Sequence, residues 1–189
     1  MSTTQPIRSK EQIRELTNYY LKRGEPRNHL LIVMSIHTAL RISDLLRLKW
    51  EDVYDFKLKR FHENIIITEK KTKKKKIIVI NKSIISALNL CMYAVKRGEY
   101  LIKSRKGGAI SRIQAYRLIR AAAEALNFCT RTSCHSLRKT FGYHAWKNGV
   151  SPVIIMEIYN HSNFSVTRRY LGVTQDDKNT VYHTLAKIV

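Results

Sequence analysis

Residues 134–146 read CHSLRKTFGYHAW, with His135 and Arg138 three apart where a helix is expected to begin. Ser136, between them, is the expected N-cap. A helix N-terminus attracts anions through its unpaired N–H groups and its aligned peptide dipoles. A histidine and an arginine placed there add two ligands suited to a phosphate. The same pair also fits an ordinary solvated first turn, so the rest of the chain has to decide between the two.

The chain has 189 residues, enough for one well-cored domain or one domain with a small appendage. Hydrophobic residues make up 44% and charged residues 26%, an ordinary globular balance. The sign of the charge is not ordinary: 35 Lys and Arg against 14 Asp and Glu leave a formal +21. Such a chain is suited to a polyanion, and nucleic acid is the default candidate partner. An anionic membrane surface is the weaker alternative, because no basic amphipathic anchor or acylation signal is present. Cys91, Cys129 and Cys134 have no C-x-x-C spacing, which favours a reduced, intracellular setting over a disulfide scaffold. With His135 they would still lack a fourth metal ligand, so no metal and no cofactor is expected. The apolar run from Leu30 to Ile36 is too short to span a bilayer. The start MSTTQPIRSK lacks the apolar core of a signal peptide, so a soluble, cytoplasmic, nucleoid-associated protein is expected.

Residues 1–8 are polar and unpatterned and read as a flexible tail. SKEQIRELTNYYLKRG (9–24) then offers Ser9 as N-cap, Ile13, Leu16 and Tyr20 on one face, and Gly24 just past the end. Pro26 opens a second helix whose core, LLIVMSIHTAL, is apolar nearly all round and therefore buried on most sides. Ser43 is the expected cap of a short following helix. NIIIT (64–68) and KIIVIN (76–81) are β-branched runs flanking EKKTKKKK, the pattern of a hairpin with an exposed basic tip. Helical patterns resume in 83–98 and in 111–126, where Ile113, Tyr116, Ile119, Ala123 and Leu126 keep a helical spacing. In SPVIIMEIY (151–159), Ser151 is the expected cap and Pro152 the first helical residue. From Thr174, capped with Asp177, a last helix carries Val181, Leu185 and Ile188 on one stripe. The expected fold is mainly α with a small antiparallel β-sheet (α+β).

Four stretches carry the candidate chemistry. TALRISDLLRLKW places Arg41 between a buried helix and a short one, and the hairpin presents Lys70, Lys71 and Lys73 to Lys76. HSLR supplies His135 and Arg138. YNHSNFSVTRRYLG supplies His161 and, nine residues on, Tyr170. In this order the set resembles the tyrosine recombinase (phage integrase) family, whose pattern is an Arg within TGLRxSEL, a hairpin Lys, HxLRH, LGH and then a Tyr. The resemblance runs from about Ser9 to Gly172. It implies the catalytic-domain fold of that family over residues 9–172. It further implies double-stranded DNA as the partner and a helix at 173–189 exchanged between protomers of a homo-oligomer on that DNA, a tetramer in synapsis, with accessory DNA-bending proteins as further partners. In length the chain is similar to the short fimbrial phase-variation recombinases, which consist of a catalytic domain only.

The residue types suit that chemistry independently. Attack on a phosphodiester builds charge on its nonbridging oxygens, and the forked, always-charged guanidiniums of Arg41 and Arg138 are suited to hold it. Tyr170 is the expected nucleophile, with Tyr159 and Tyr182 as competitors. A hairpin lysine can protonate the leaving 5′-oxygen. Lys71 is the choice by likeness to the family's KTGK hairpins, with Lys70 and Lys73 as alternatives. His135 can take the tyrosine proton or bond the phosphate, and His161 can orient it. Lys70, Lys73, Lys74, Lys75, Lys76, Arg112 and Lys139 are the expected DNA-contacting residues. Three positions depart from the family pattern: Ala39 and Asn160 where Gly is usual, and Lys139 where HxLRH ends in His. The expected activity is site-specific DNA cleavage and rejoining through a 3′-phosphotyrosyl intermediate. A type IB topoisomerase-like activity, or a DNA-binding protein of the same fold without strand exchange, are the alternatives.

Overall fold

The computed structural model describes residues 4–93 and 95–185. Among them the elements run α1 (Lys10–Lys22), α2 (Pro26–His37), α3 (Ile42–Leu45), β1 (Tyr54–Asp55), β2 (Arg60–Phe61), β3 (Asn64–Thr68), β4 (Lys75–Val79), α4 (Lys82–Asn89), α5 (Arg112–Ala125), α6 (Cys134–Lys147), α7 (Pro152–Ile158), α8 (Phe164–Leu171) and α9 (Gln175–Leu185). A single 3-10 turn, Trp50–Asp52, precedes β1. The mainly helical fold expected from the sequence is observed, with two small antiparallel sheets instead of one. β3 pairs with β4 as the expected hairpin, with Asn64 opposite Val79 and Thr68 opposite Lys75. The second pair, β1 with β2, is only two residues long and gave no alternating signal.

α2 is the central rod. Every residue from Asn28 to Ile36 is buried, and α1, α4, α5 and α6 pack around it. One core joins Leu30, Leu31 and Met34 of α2 to Trp50, Ile65 and Ile78 near the hairpin and to Ile84 and Leu88 of α4. A second joins Ile32 and Ile36, on the opposite side of α2, to Leu16, Tyr20, Ile119 and Leu137. Burying each of these aliphatic side chains contributes about 1.5–3 kcal/mol, so α2 holds the two halves in one body. A third, smaller cluster of Ala39, Ile155, Tyr159, Tyr170 and Leu171 lies where α6, α7 and α8 meet.

The local signals worked where they were short-range. Ser9, Ser111 and Ser151 cap α1, α5 and α7, each accepting a backbone N–H of its first turn. Thr174 and Asp177 cap α9 reciprocally, Asp177 Oδ2 accepting from the Thr174 amide at 2.7 Å. Other expectations are corrected. Ser43 lies inside α3, and Arg41 occupies the cap position. In α5 the inward face is Ala115, Ile119, Ala122 and Ala123, while Ile113 is exposed. Small residues let α5 lie close to its neighbours, which a stripe of large ones would prevent. Val181 on α9 is exposed, and the Leu185 side chain and Ile188 lie outside the described residues.

Residues 4–8, expected as a flexible tail, are docked. The Ile7 amide donates to Thr140 Oγ1 at 2.9 Å, and Ile7 joins the second core. Arg8 Nη2 donates to the carbonyl of Gly172 at 3.1 Å, directly after α8. These partners lie more than a hundred residues away in sequence, which is why a local reading of polar residues missed them.

Gly142 on α6 is a packing glycine. A Cβ built there would sit 2.5 Å from Tyr159 Oη and 2.9 Å from its ring, closer than real contacts. Tyr159 is fully buried and its hydroxyl donates to the Arg138 carbonyl at 2.6 Å, so it cannot swing aside. Gly142→Ala is therefore expected to lower unfolding free energy by about 1–3 kcal/mol, read from urea denaturation. Gly108→Ala, where a Cβ meets nothing within 4 Å, should stay within about 0.5 kcal/mol of the parent. Equal midpoints for the two variants would contradict this packing.

Candidate active site

The cap of α6 lies three residues earlier than expected. Ser133 is the N-cap, its Oγ accepting from the amides of His135 (3.2 Å) and Ser136 (3.3 Å), and Ser136 Oγ accepts from the Ser133 amide in return. This reciprocal box fixes the first turn. His135 consequently stands on that turn, and Arg138 one turn further in.

Arg138 is only 2% exposed. Its Nη1 donates to the carbonyl of Ala39 and its Nη2 to that of Tyr159 at 3.3 Å, while Nε has no partner among the described residues. The same Ala39 carbonyl accepts from Lys76 Nζ at 3.2 Å. Ala39 can serve both because its backbone turns left-handed, φ 52°, at the end of α2. That conformation costs a non-glycine residue roughly 1–2 kcal/mol, and it explains a small residue where the family pattern has Gly.

Arg41 approaches from the other side, at the start of α3. Its Nη1 lies 2.9 Å from Glu69 Oε2, an ion pair without the alignment of a hydrogen bond. Glu69 is fully buried at the start of the β3–β4 turn and also accepts from Thr72 Oγ1 (2.7 Å) and Asn160 Nδ2 (3.1 Å). Burial works against its charge, yet these hydrogen bonds and Arg41 outweigh it and hold the carboxyl below the usual range. Asp44, also fully buried, accepts the Lys70 amide at 2.9 Å. Two interior carboxylates thus dock the hairpin turn against the α2–α3 junction. Neither was singled out from the sequence; the signal for Asp44 was its spacing three residues after Arg41, and Glu69 was hidden in a run of lysines.

His161 follows Asn160, which takes a left-handed φ of 54° after α7. Asn tolerates that conformation better than most residues, so the departure from Gly leaves the turn intact. His161 Nδ1 lies 3.0 Å from Thr167 Oγ1, which fixes the ring. Tyr170, on α8, sits among three rings: its centroid is 5.1 Å from His135, 4.8 Å from His161 and 4.8 Å from Tyr159. The Arg138 guanidinium carbon lies 5.8 Å from the Tyr170 centroid. Tyr159 is fully buried beneath them with its hydroxyl committed to a carbonyl, and Tyr182 is exposed on α9, outside the cleft.

All six candidate catalytic residues, Arg41, Lys71, His135, Arg138, His161 and Tyr170, line one open cleft of about 500 Å³, together with Arg112. Lys70, Lys73, Lys74 and Lys75 are exposed on and beside the hairpin tip. Two expected DNA contacts are corrected. Lys76 points inward because β4 alternates, sharing its face with the buried Ile78, and burial beside Arg138 pushes its ammonium down to about 7. Lys139 is also buried, donating to the Thr4 carbonyl at 2.6 Å and lying 5.8 Å from the Tyr170 ring centroid. A cleft with three guanidiniums, a lysine, two imidazoles and a phenol can hold a phosphodiester and move protons about it. Among the described residues no cluster of three or more His, Cys, Asp or Glu has the arrangement to hold a metal ion, and no helix is long and apolar enough to cross a membrane.

Known proteins are similar to this chain in sequence and in fold. A family model described as the phage integrase family matches residues 8–177. The chain is 40% identical to a probable integrase/recombinase, YoeC, of Bacillus subtilis (strain 168), over 96% of this chain and 97% of that one. It is 26% identical to the tyrosine recombinase XerC of Halalkalibacterium halodurans, over 84% of this chain and 54% of that one, so it spans about half the length of that relative. In structure it is similar to the XerA recombinase, with a TM-score of 0.77 at 20% identity, covering 96% of this chain and 66% of that one. The XerH site-specific recombinase in a post-cleavage DNA complex gives a TM-score of 0.77 at 19% identity, covering 95% and 52%.

The two imidazoles make a pH prediction. Partial desolvation of the rings at the cleft wall, followed by the neighbouring cations, pushes both down to about 4, although His135 as a whole is exposed and His161 half-buried. Between that value and the unfolded value of about 6.5, the unfolded chain binds more protons than the folded one. Their contribution to stability is thus complete above about pH 6.5 and falls away as pH drops toward about 4. NMR ring resonances of both are expected to hold their neutral positions from about pH 8 down to about pH 5.5. A midpoint near the unperturbed value for either would contradict this placement beside the cleft cations.

Proposed function

The chain belongs to the phage integrase family, and we propose that it is a site-specific DNA recombinase that cleaves and rejoins strands through a covalent phosphotyrosine. The observation that carries the reading is the convergence of Arg41, Lys71, His135, Arg138 and His161 on one cleft around Tyr170. In this reading Tyr170 Oη attacks the scissile phosphorus, an oxygen–phosphorus bond to tyrosine forms, and the bond to the 5′-oxygen breaks. Arg41 and Arg138 hold the charge on the nonbridging oxygens. His135, neutral at pH 7, takes the tyrosine proton, and His161 orients the phosphate. Lys71 gives the leaving 5′-oxygen its proton. The 3′-phosphotyrosine keeps the bond energy, so rejoining needs no external energy source.

Lys70, Lys73, Lys74, Lys75 and Arg112 are the proposed backbone contacts. They are exposed beside the cleft or line it, and the formal charge of +21 supports a DNA partner and a place on the nucleoid. α9 is the proposed contact with a second protomer. It begins just after α8, its Val181 and Tyr182 are exposed, and it meets its own domain through an ion pair of Lys147 with Asp177. A helix so placed can couple assembly to the position of Tyr170. Residues 9–172 are the proposed catalytic unit, with the docked segment 4–8 bracing it.

The test is Tyr170→Phe on a suicide substrate that traps the covalent adduct. Loss of one hydroxyl is expected to abolish the adduct while DNA affinity stays within about threefold of the parent, because phosphate contacts to Lys and Arg supply that affinity. An adduct that persists in the variant and maps to Tyr159 or Tyr182 would overturn the assignment. A wild-type protein that binds DNA and never forms an adduct would favour the binding-protein alternative.

A further inference from the structure

The cleavage reading above gives the buried carboxylate of Glu69 no part in the chemistry. Glu69 has no exposure, yet it stays ionised inside a chain with a strong excess of positive charge. Burying a carboxylate costs several kcal/mol before its partners are counted, and an apolar residue would fill the same space without that penalty. What a carboxylate supplies there is connection. Oε2 meets Thr72 of its own turn, Arg41 at the head of α3, and Asn160 at the turn that presents His161. Its backbone closes the same turn, the Glu69 amide donating to the Lys74 carbonyl at 3.0 Å and the Lys73 amide to the Glu69 carbonyl at 2.9 Å.

Lys71 sits in the middle of that turn, is exposed, and lines the cleft beside Thr72. A lysine stem is long and flexible, so the direction of its ammonium depends on the backbone beneath it. Resting on the cleavage reading above, we propose that Glu69 is a positioning residue that anchors the β3–β4 turn to Arg41 and Asn160, and so places Lys71 to protonate the leaving 5′-oxygen. Arg41 carries five N–H donors in a fixed fork, so engagement of Nη1 by Glu69 leaves others to face a phosphate.

The experiment compares adduct formation on two suicide substrates, one with an ordinary 5′-oxygen and one with a 5′-bridging sulfur, whose departure needs no proton. Glu69→Ala is expected to lose about 100-fold in single-turnover rate on the oxygen substrate, the scale of a general-acid contribution. On the sulfur substrate it should run within about threefold of wild type, with an unchanged dissociation constant for DNA. Glu69→Gln is the variant that keeps the shape and can still accept from Thr72 and Asn160. It should keep the wild-type melting temperature and show a smaller loss, about tenfold, with the same rescue by sulfur. Equal losses on both substrates, or a wild-type rate for Glu69→Gln on oxygen, would overturn the proposal. Absence of any adduct from the wild type would sink the cleavage reading, and this proposal with it.

Discussion

A guanidinium buried to 2% exposure must be met by acceptors, and that requirement organises this molecule. Arg138 reaches it by taking carbonyls from two distant segments, Ala39 at the end of α2 and Tyr159 at the end of α7. Those carbonyls point inward only because the chain bends there. Ala39 turns left-handed, and Tyr159 closes α7 just before the left-handed Asn160. The ring of Tyr159 then lies 4.7 Å beneath the guanidinium, and its hydroxyl donates back to the Arg138 carbonyl. Gly142 is a glycine because nothing larger fits against that ring. The same few contacts that bury the arginine therefore set the floor on which Tyr170 and His161 rest.

Like charges crowd this floor. Arg41 and Lys76 add to the field of Arg138, Lys139 lies against Tyr170, and burial has already weakened the hydration of each. The chain answers in two ways. It places two interior carboxylates, Asp44 and Glu69, at the seam between the hairpin and the α2–α3 junction. It also keeps both imidazoles neutral, since each is partly desolvated at the cleft wall and a proton on either would face the neighbouring cations. A cleft poised in this way favours an anion over water, and a phosphodiester is the anion its forked donors suit.

Much of this was legible in the sequence, and the divide is physical. The caps of α1, α7 and α9, the hairpin and the run of α2 depend on neighbours within a turn or on simple patterning, so they could be read directly. The caps of α3 and α6, by contrast, lie two and three residues earlier than expected. The six candidate residues could be gathered only through their likeness to a family pattern, because nothing local brings Arg41 to Arg138. What escaped the reading depends on long-range packing. Ile7 and Arg8 looked like tail because their partners, Thr140 and Gly172, lie at the far end of the chain. Lys76 was counted with a basic tip although strand alternation already set it with Ile78 and Ile80 on the inward face. Glu69 and Asp44 were overlooked because a carboxylate among lysines reads as a solvated neighbour, whereas here each is an interior bond.

The central claim is that the geometry of the Arg138 fork, not its charge alone, holds these elements together. Urea unfolding of Arg138→Lys tests it most directly, since lysine keeps the positive charge and cannot bridge both carbonyls. The expected result is a loss of about 1.5–3 kcal/mol, the scale of hydrogen bonds made by a charged group in the interior. An unfolding midpoint equal to that of the parent protein would contradict the account.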